Sequence, residues 1–170
     1  SGEPETDGAW EHAKQIMLNY EFPDPDLIAG VFVPDDPLEE RVMVLEATFL
    51  VFKFYFGVRI HEVIDERRED DRGEAQVWGY SYTTTEDHFE MGEITFEVWK
   101  YLESGEVEFR IHSYSRTGYI DNPLYRLGFA IFGRTLQKRF AQTSLNRMQE
   151  LVIHRLTDEH QDMETPDVNH

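Results

Sequence analysis

A chain of 170 residues with 40% hydrophobic and 14% aromatic side chains can build one domain with a substantial core, which excludes whole-chain disorder and leaves little room for a second domain. Its 34 acidic and 16 basic residues give a formal net charge of -18, which excludes nucleic acid and anionic membrane surfaces as main partners because phosphate binding needs clustered Lys and Arg. Cysteine is absent, excluding disulfides, thiol nucleophiles and thiolate metal sites, and the longest apolar stretch, around Phe49 to Phe56, is broken by Lys53 well short of a membrane span. No leader-like pattern is visible, so the expected setting is the cytoplasm.

Residues 1–7 are polar and read as a flexible N-terminus. Asp7 is placed to cap a helix in which Trp10, Ala13, Met17 and Tyr20 recur at helical spacing, and Pro23 and Pro25 stop it. From Leu27 to Glu40 the prolines and the Asp35-Asp36 pair predict a loop. Strands follow. Arg41 to Phe56 is rich in Val, Phe and Tyr, Val58 to Glu66 alternates, and Asp70 to Gly73 reads as a tight turn leading into Gln76 to Thr84. Glu93 to Leu102 and Val107 to Ser115 complete an antiparallel meander, joined by Ser104-Gly105. On the last strand Val107, Phe109 and Ile111 share one face and Glu106, Glu108, Arg110 and His112 the other, so one side of the sheet meets a core and the other meets water.

The apolar face needs a cover, and residues 122–156 supply it. Asn122 as cap with Pro123 at the first helical position starts a long helix along which Phe132, Leu136, Phe140, Leu145, Met148 and Val152 form an apolar stripe. Its other side, with Arg134, Lys138, Arg139, Arg147 and Arg155, predicts an outward basic face. Residues 109–155 hold 8 basic against 2 acidic side chains inside an otherwise acidic protein. Arginine outnumbers lysine 12 to 4, and few Lys beside abundant Asp and Glu is a surface habit of salt-loving organisms. Residues 157–170 read as an acidic disordered tail. The fold class is therefore α+β, of helix-grip type: an N-terminal helix, a curved antiparallel sheet of five to six strands, and a long C-terminal helix packed on it, as a single domain over residues 8–156.

Chemistry is sparse. There is no phosphate-binding glycine loop, and Gly79-Tyr80-Ser81-Tyr82-Thr83 lacks the second Gly of a nucleophile elbow. His61-Glu62-Val63-Ile64-Asp65 opens like a zinc-binding helix but lacks the second His and lies in a strand pattern, where alternation sends His61 and Glu62 to opposite faces; no metal site and no cofactor are expected. His88, Glu90 and Glu93 lie close together on a loop entering a strand, the setting of an acid/base pair or of a hard metal ion, and Arg116 after an alternating strand is placed to clamp an anion.

The stretch Trp78-Gly79-Tyr80-Ser81-Tyr82-Thr83-Thr84, then His88 and Gly92-Glu93-Ile94-Thr95-Phe96, resembles the "GfaYGTLpgHpe.GEe.F" signature of the DUF1990 (UPF0548) family. Val107 to Ile111 followed by Ser113-Tyr114-Ser115-Arg116 resembles that family's "V.feI.afSRp" strand, and Leu127-Gly128 with Gln137-Lys138-Arg139-Phe140 its "rLg.P....Q.rf" helix. Thr83-Thr84-Thr85 replaces the family's Gly-Thr-Leu, and Thr117 its Pro. The resemblance implies a START-like (SRPBCC, Bet v 1-like) helix-grip protein, in a superfamily of apolar-ligand binders with some enzymes. Its polar motif positions fall on Tyr80, Thr84, His88, Glu93, Ser115, Arg116 and Gln137.

Three readings follow. The first is a binder of a hydrophobic or amphipathic small molecule held between sheet and helix, with Trp78, Tyr80, Tyr82, Phe96 and Phe109 on its apolar body and Arg116 and Gln137 on its polar head. The second is an enzyme with His88 and Glu93 as acid and base and Arg116 as anion anchor. The third is a protein-interaction module using the basic helix face.

Overall fold

The computed structural model describes residues 1–49, 51–84, 93–114 and 123–164. Helix α1 spans Ala9–Leu18 and buries Trp10, His12, Ala13, Ile16 and Met17 along one face. Gly8, not Asp7, is its N-cap and makes no side-chain capping bond. The helix stops five residues before Pro23, by its own geometry. The amide of Tyr20 donates to the Met17 carbonyl (3.1 Å) and that of Glu21 to the Ile16 carbonyl (3.0 Å), a Schellman closure that puts Tyr20 in the left-handed region at φ 53. Glycine usually fills that position; a tyrosine tolerates it only where surrounding contacts hold it.

Six strands follow in sequence order as one antiparallel sheet: β1 (Ile28–Val31), β2 (Val42–Phe49), β3 (Phe52–Asp70), β4 (Gly73–Thr84), β5 (Glu93–Tyr101) and β6 (Val107–Tyr114). The expected loop from 27 to 40 thus contains a four-residue edge strand, too short and too close to Pro34 to show in the pattern. The run Arg41 to Phe56 is not one strand. It folds back after Phe49, which pairs with Phe52, at a turn lacking the Gly, Pro, Asn or Asp that would mark it. The turn at Asp70–Gly73 forms as expected, with Gly73 at φ 112.

Helix α2 runs from Pro123 to Glu164, 42 residues or about 63 Å, across the concave side of the sheet. Residues 157–164, expected as disordered tail, continue this helix, and His12 of α1 meets Glu159 at 3.1 Å. The described buried stripe is Phe140, Ser144 and Met148, spaced by four; Leu145, expected inside, is 39% exposed. Of the basic residues, Lys138 and Arg139 face solvent, but Arg147 donates to the Glu21 carbonyl and Arg155 to the Glu21 carboxylate, both at 2.8 Å. The expected outward basic face is thus half spent on tying α2 to the residues after α1. The N-terminal residues are also engaged. The Gly2 amide donates to the Leu102 carbonyl (2.7 Å) and Glu3 pairs with Arg67, so residues 1–7 are tied to the end of the sheet.

The main core lies between the concave face, α1 and α2. A second, smaller apolar cluster on the outer face, Ile64, Ala75, Val77, Trp99 and Tyr101, is roofed by guanidinium groups: Arg110 lies 3.9 Å from the Trp99 ring centroid and Arg72 4.3 Å from that of Tyr101. No helix among the described residues is long and apolar enough to cross a membrane.

Candidate functional site

Strand register decides which side chains converge. On β4, Trp78, Tyr80 and Tyr82 alternate toward the concave side; Tyr80 pairs with Phe96, and Val98 with Phe109 on β6. The five aromatic residues predicted to touch a ligand therefore share one wall. Phe96 is its hub, with ring centroids of Tyr80 at 5.7 Å, Tyr82 at 5.4 Å, Phe22 at 4.8 Å and Phe140 of α2 at 6.3 Å. Phe22 also covers Phe109 at 5.3 Å. Much of the wall is thus occupied by residues of α1 and its exit, Tyr20 and Phe22, which sequence reading did not place there.

The polar atoms of this wall are nearly all paired internally. Tyr80 donates to the Met17 carbonyl (2.9 Å), the Tyr20 and Tyr82 hydroxyls share a bond at 3.1 Å, and the Trp10 indole N–H reaches the Val98 carbonyl at 3.3 Å. Burial pushes the Tyr20 and Tyr80 hydroxyls well above the usual phenol range, in Tyr20 with help from the neighbouring Tyr82, and raises Tyr82 to about 12 against the bond from Tyr20. These phenols are neutral donors and acceptors at physiological pH. They suit binding rather than proton transfer. The strained Tyr20 is held partly by space, since a Cβ on Gly30 would sit 2.6 Å from its ring.

Two polar groups break this economy. The hydroxyl of Ser144, fully buried in the α2 stripe between Phe140 and Met148, has no hydrogen-bond partner among the described residues. Arg41, 6% exposed, precedes the inward register Met43, Leu45, Ala47 of β2; its Nη1 donates to the Leu18 carbonyl at 2.6 Å and its guanidinium lies 4.4 Å from the Phe32 ring centroid, while Nε has no partner among the described residues. Sequence reading missed both, although the alternation from Arg41 to Ala47 carries the signal for the second.

Glu93 lies on the other face. It precedes inward Ile94 and points outward beside Thr83, with Nε2 of His61 at 3.4 Å from its Oε2. A β-bulge between Ile60 and Glu62 interrupts the alternation of β3, so His61 and Glu62 do not go to opposite faces as expected. The ligand atoms of His61, Glu62 and Glu93 lie within 4.8 Å of one another, one imidazole and two carboxylates in the exposed zone of the outer face, a donor set suited to a hard or borderline divalent ion. Farther along this face the buried carboxylate of Glu97 receives Arg68 (2.6 Å) and the Trp99 indole (2.9 Å), with His112 at 3.5 Å. Gln137 is on the exposed side of α2. His88 and Arg116 lie outside the described residues.

A family model described as "Domain of unknown function (DUF1990)" matches residues 2–147. No curated protein and no solved structure matches the chain.

Proposed function

We propose that this chain, which belongs to the DUF1990 family, binds a small apolar or amphipathic molecule between the concave face of its sheet and α2, as START-like helix-grip proteins do. A sheet curled around a helix and lined by Tyr80, Tyr82, Phe96 and Phe109, none of which ionises near neutrality, offers contact area and few polar fixtures, the usual character of a small-molecule site. The observation that carries this reading is Ser144. A fully buried hydroxyl without a partner costs roughly 1–3 kcal/mol, and a ligand hydroxyl or carbonyl at the seam between α2 and the sheet relieves it.

Native mass spectrometry of gently purified protein, paired with thermal shifts against a panel of lipids and apolar metabolites, tests the reading. A retained small molecule, or a ligand that raises Tm and does so less in Ser144→Ala, is the expected result. Protein that is empty and that no panel member stabilises would refute it. Of the enzyme reading, with His88 and Glu93 as acid and base and Arg116 as anchor, only Glu93 lies among the described residues, and its contact there is with His61; it requires its substrate on the outer face, so a ligand that protects the inner wall alone would count against it.

A further inference from the structure

We infer that Arg41 is the anchor for an anionic head group, so that the molecule held between sheet and α2 is an apolar carboxylate rather than a neutral lipid; this rests on the binding reading above. A buried guanidinium is costly unless an anion balances it. In a chain with 34 acidic side chains, Arg67, Arg68, Arg72, Arg110 and Arg155 all meet carboxylates, at the surface or partly buried. Arg41 is more buried than any of them, yet forms no ion pair with a described residue. What it has is one carbonyl at the C-terminal end of α1, from Leu18, and the face of Phe32. The helix end supplies only about half a negative charge. Nη1 is engaged by that carbonyl, while Nε, which lies on the edge that grips a carboxylate through parallel N–H bonds, is buried without a hydrogen-bond partner among the described residues.

Position agrees with charge. Arg41 lies at the start of the inward register of β2, against the last turn of α1, close enough to Tyr80 to act on its hydroxyl electrostatically. A head group on this edge sits at the margin of the aromatic wall, and a hydrocarbon body reaches from there toward Tyr80 and Phe96.

The test compares dodecanoate with dodecan-1-ol, matched in chain and different in charge, by calorimetric titration of wild type, Arg41→Met and Arg41→Lys. Dodecanoate is expected to bind wild type about tenfold or more tightly than the alcohol, the ratio falling to near one in Arg41→Met and to an intermediate value in Arg41→Lys, which keeps the charge without the fork. A wild-type ratio near one, or a ratio that survives in Arg41→Met, overturns the assignment; if Arg41→Met does not fold, Arg41→Lys decides by the same comparison. If neither probe binds wild type, the binding reading is left to the panel above, and the anchor is judged separately by thermal shift in sodium sulfate against sodium chloride at equal ionic strength. A sulfate-specific rise in Tm lost on substituting Arg41 supports it, and equal shifts in wild type and variant overturn it.

Discussion

Tyr20 shows how one residue can carry both strain and cohesion. Its left-handed backbone closes α1, its ring fills the space that Gly30 leaves open, and its hydroxyl meets Tyr82 across 62 residues of sequence. Removing either hydroxyl leaves the other buried without a partner, so Tyr20→Phe and Tyr82→Phe are each expected to cost about 1–3 kcal/mol, and the double variant less than their sum. Urea unfolding of the four proteins measures this; strict additivity would mean that the two hydroxyls do not interact. The same pair makes the protein sensitive to alkali. A phenol whose folded pKa lies above its unfolded value contributes stability in full below about pH 10 and loses it as pH rises toward the folded value, about 12 for Tyr82. The shift corresponds to roughly 2–3 kcal/mol at Tyr82. Absorbance at 295 nm should show Tyr20, Tyr80 and Tyr82 titrating late and together with unfolding, whereas early, independent titration would place them nearer water.

Among the elements, α2 is the one whose seam is least settled. Phe140 and Met148 pack well, but Ser144 between them contributes an orphan hydroxyl where alanine would be the better helix former. Ser144→Ala is therefore expected to stabilise the ligand-free protein by about 1 kcal/mol; a loss of stability in thermal unfolding would show that the hydroxyl has a partner after all. The strands from β3 to β6 were largely legible in the sequence because β4, β5 and β6 alternate and the β3–β4 and β5–β6 turns carry Gly or Asp, at Asp70–Gly73 and Ser104-Gly105. The β2–β3 turn was not, since Phe49-Leu50-Val51-Phe52 holds no turn former and reads as unbroken strand. Alternation also misled at His61, where the bulge depends on how β3 pairs with β4 rather than on any residue in β3 itself. On α2 the spacing of large apolar residues pointed to Leu145, whereas the buried positions recur every four residues at Phe140, Ser144 and Met148. The shared face of Trp78, Tyr80, Tyr82 and Phe96 follows from alternation and register. The covering role of Tyr20 and Phe22 does not, because it depends on where α1 docks.

At the scale of the molecule, the charge of -18 is repulsive overall, while Arg68, Arg72 and Arg110 of the outer face are neutralised locally by neighbouring carboxylates. Salt screens both, but the many unpaired acids at longer range lose more repulsion than close pairs lose attraction, as the screening length falls from about 10 Å at 0.1 M to about 3 Å at 1 M. Tm is expected to rise with KCl over that range; a fall would mean that the arginine pairs dominate. The order of the elements has another consequence, for synthesis. The meander can zip from hairpin to hairpin as it emerges, but the indole of Trp10 must wait for Val98, 88 residues later, and the Glu21 carbonyl for Arg147, 126 residues later. The apolar face of α1 is therefore completed only after β5 and α2 have been made, and until then part of it stays exposed on the nascent chain.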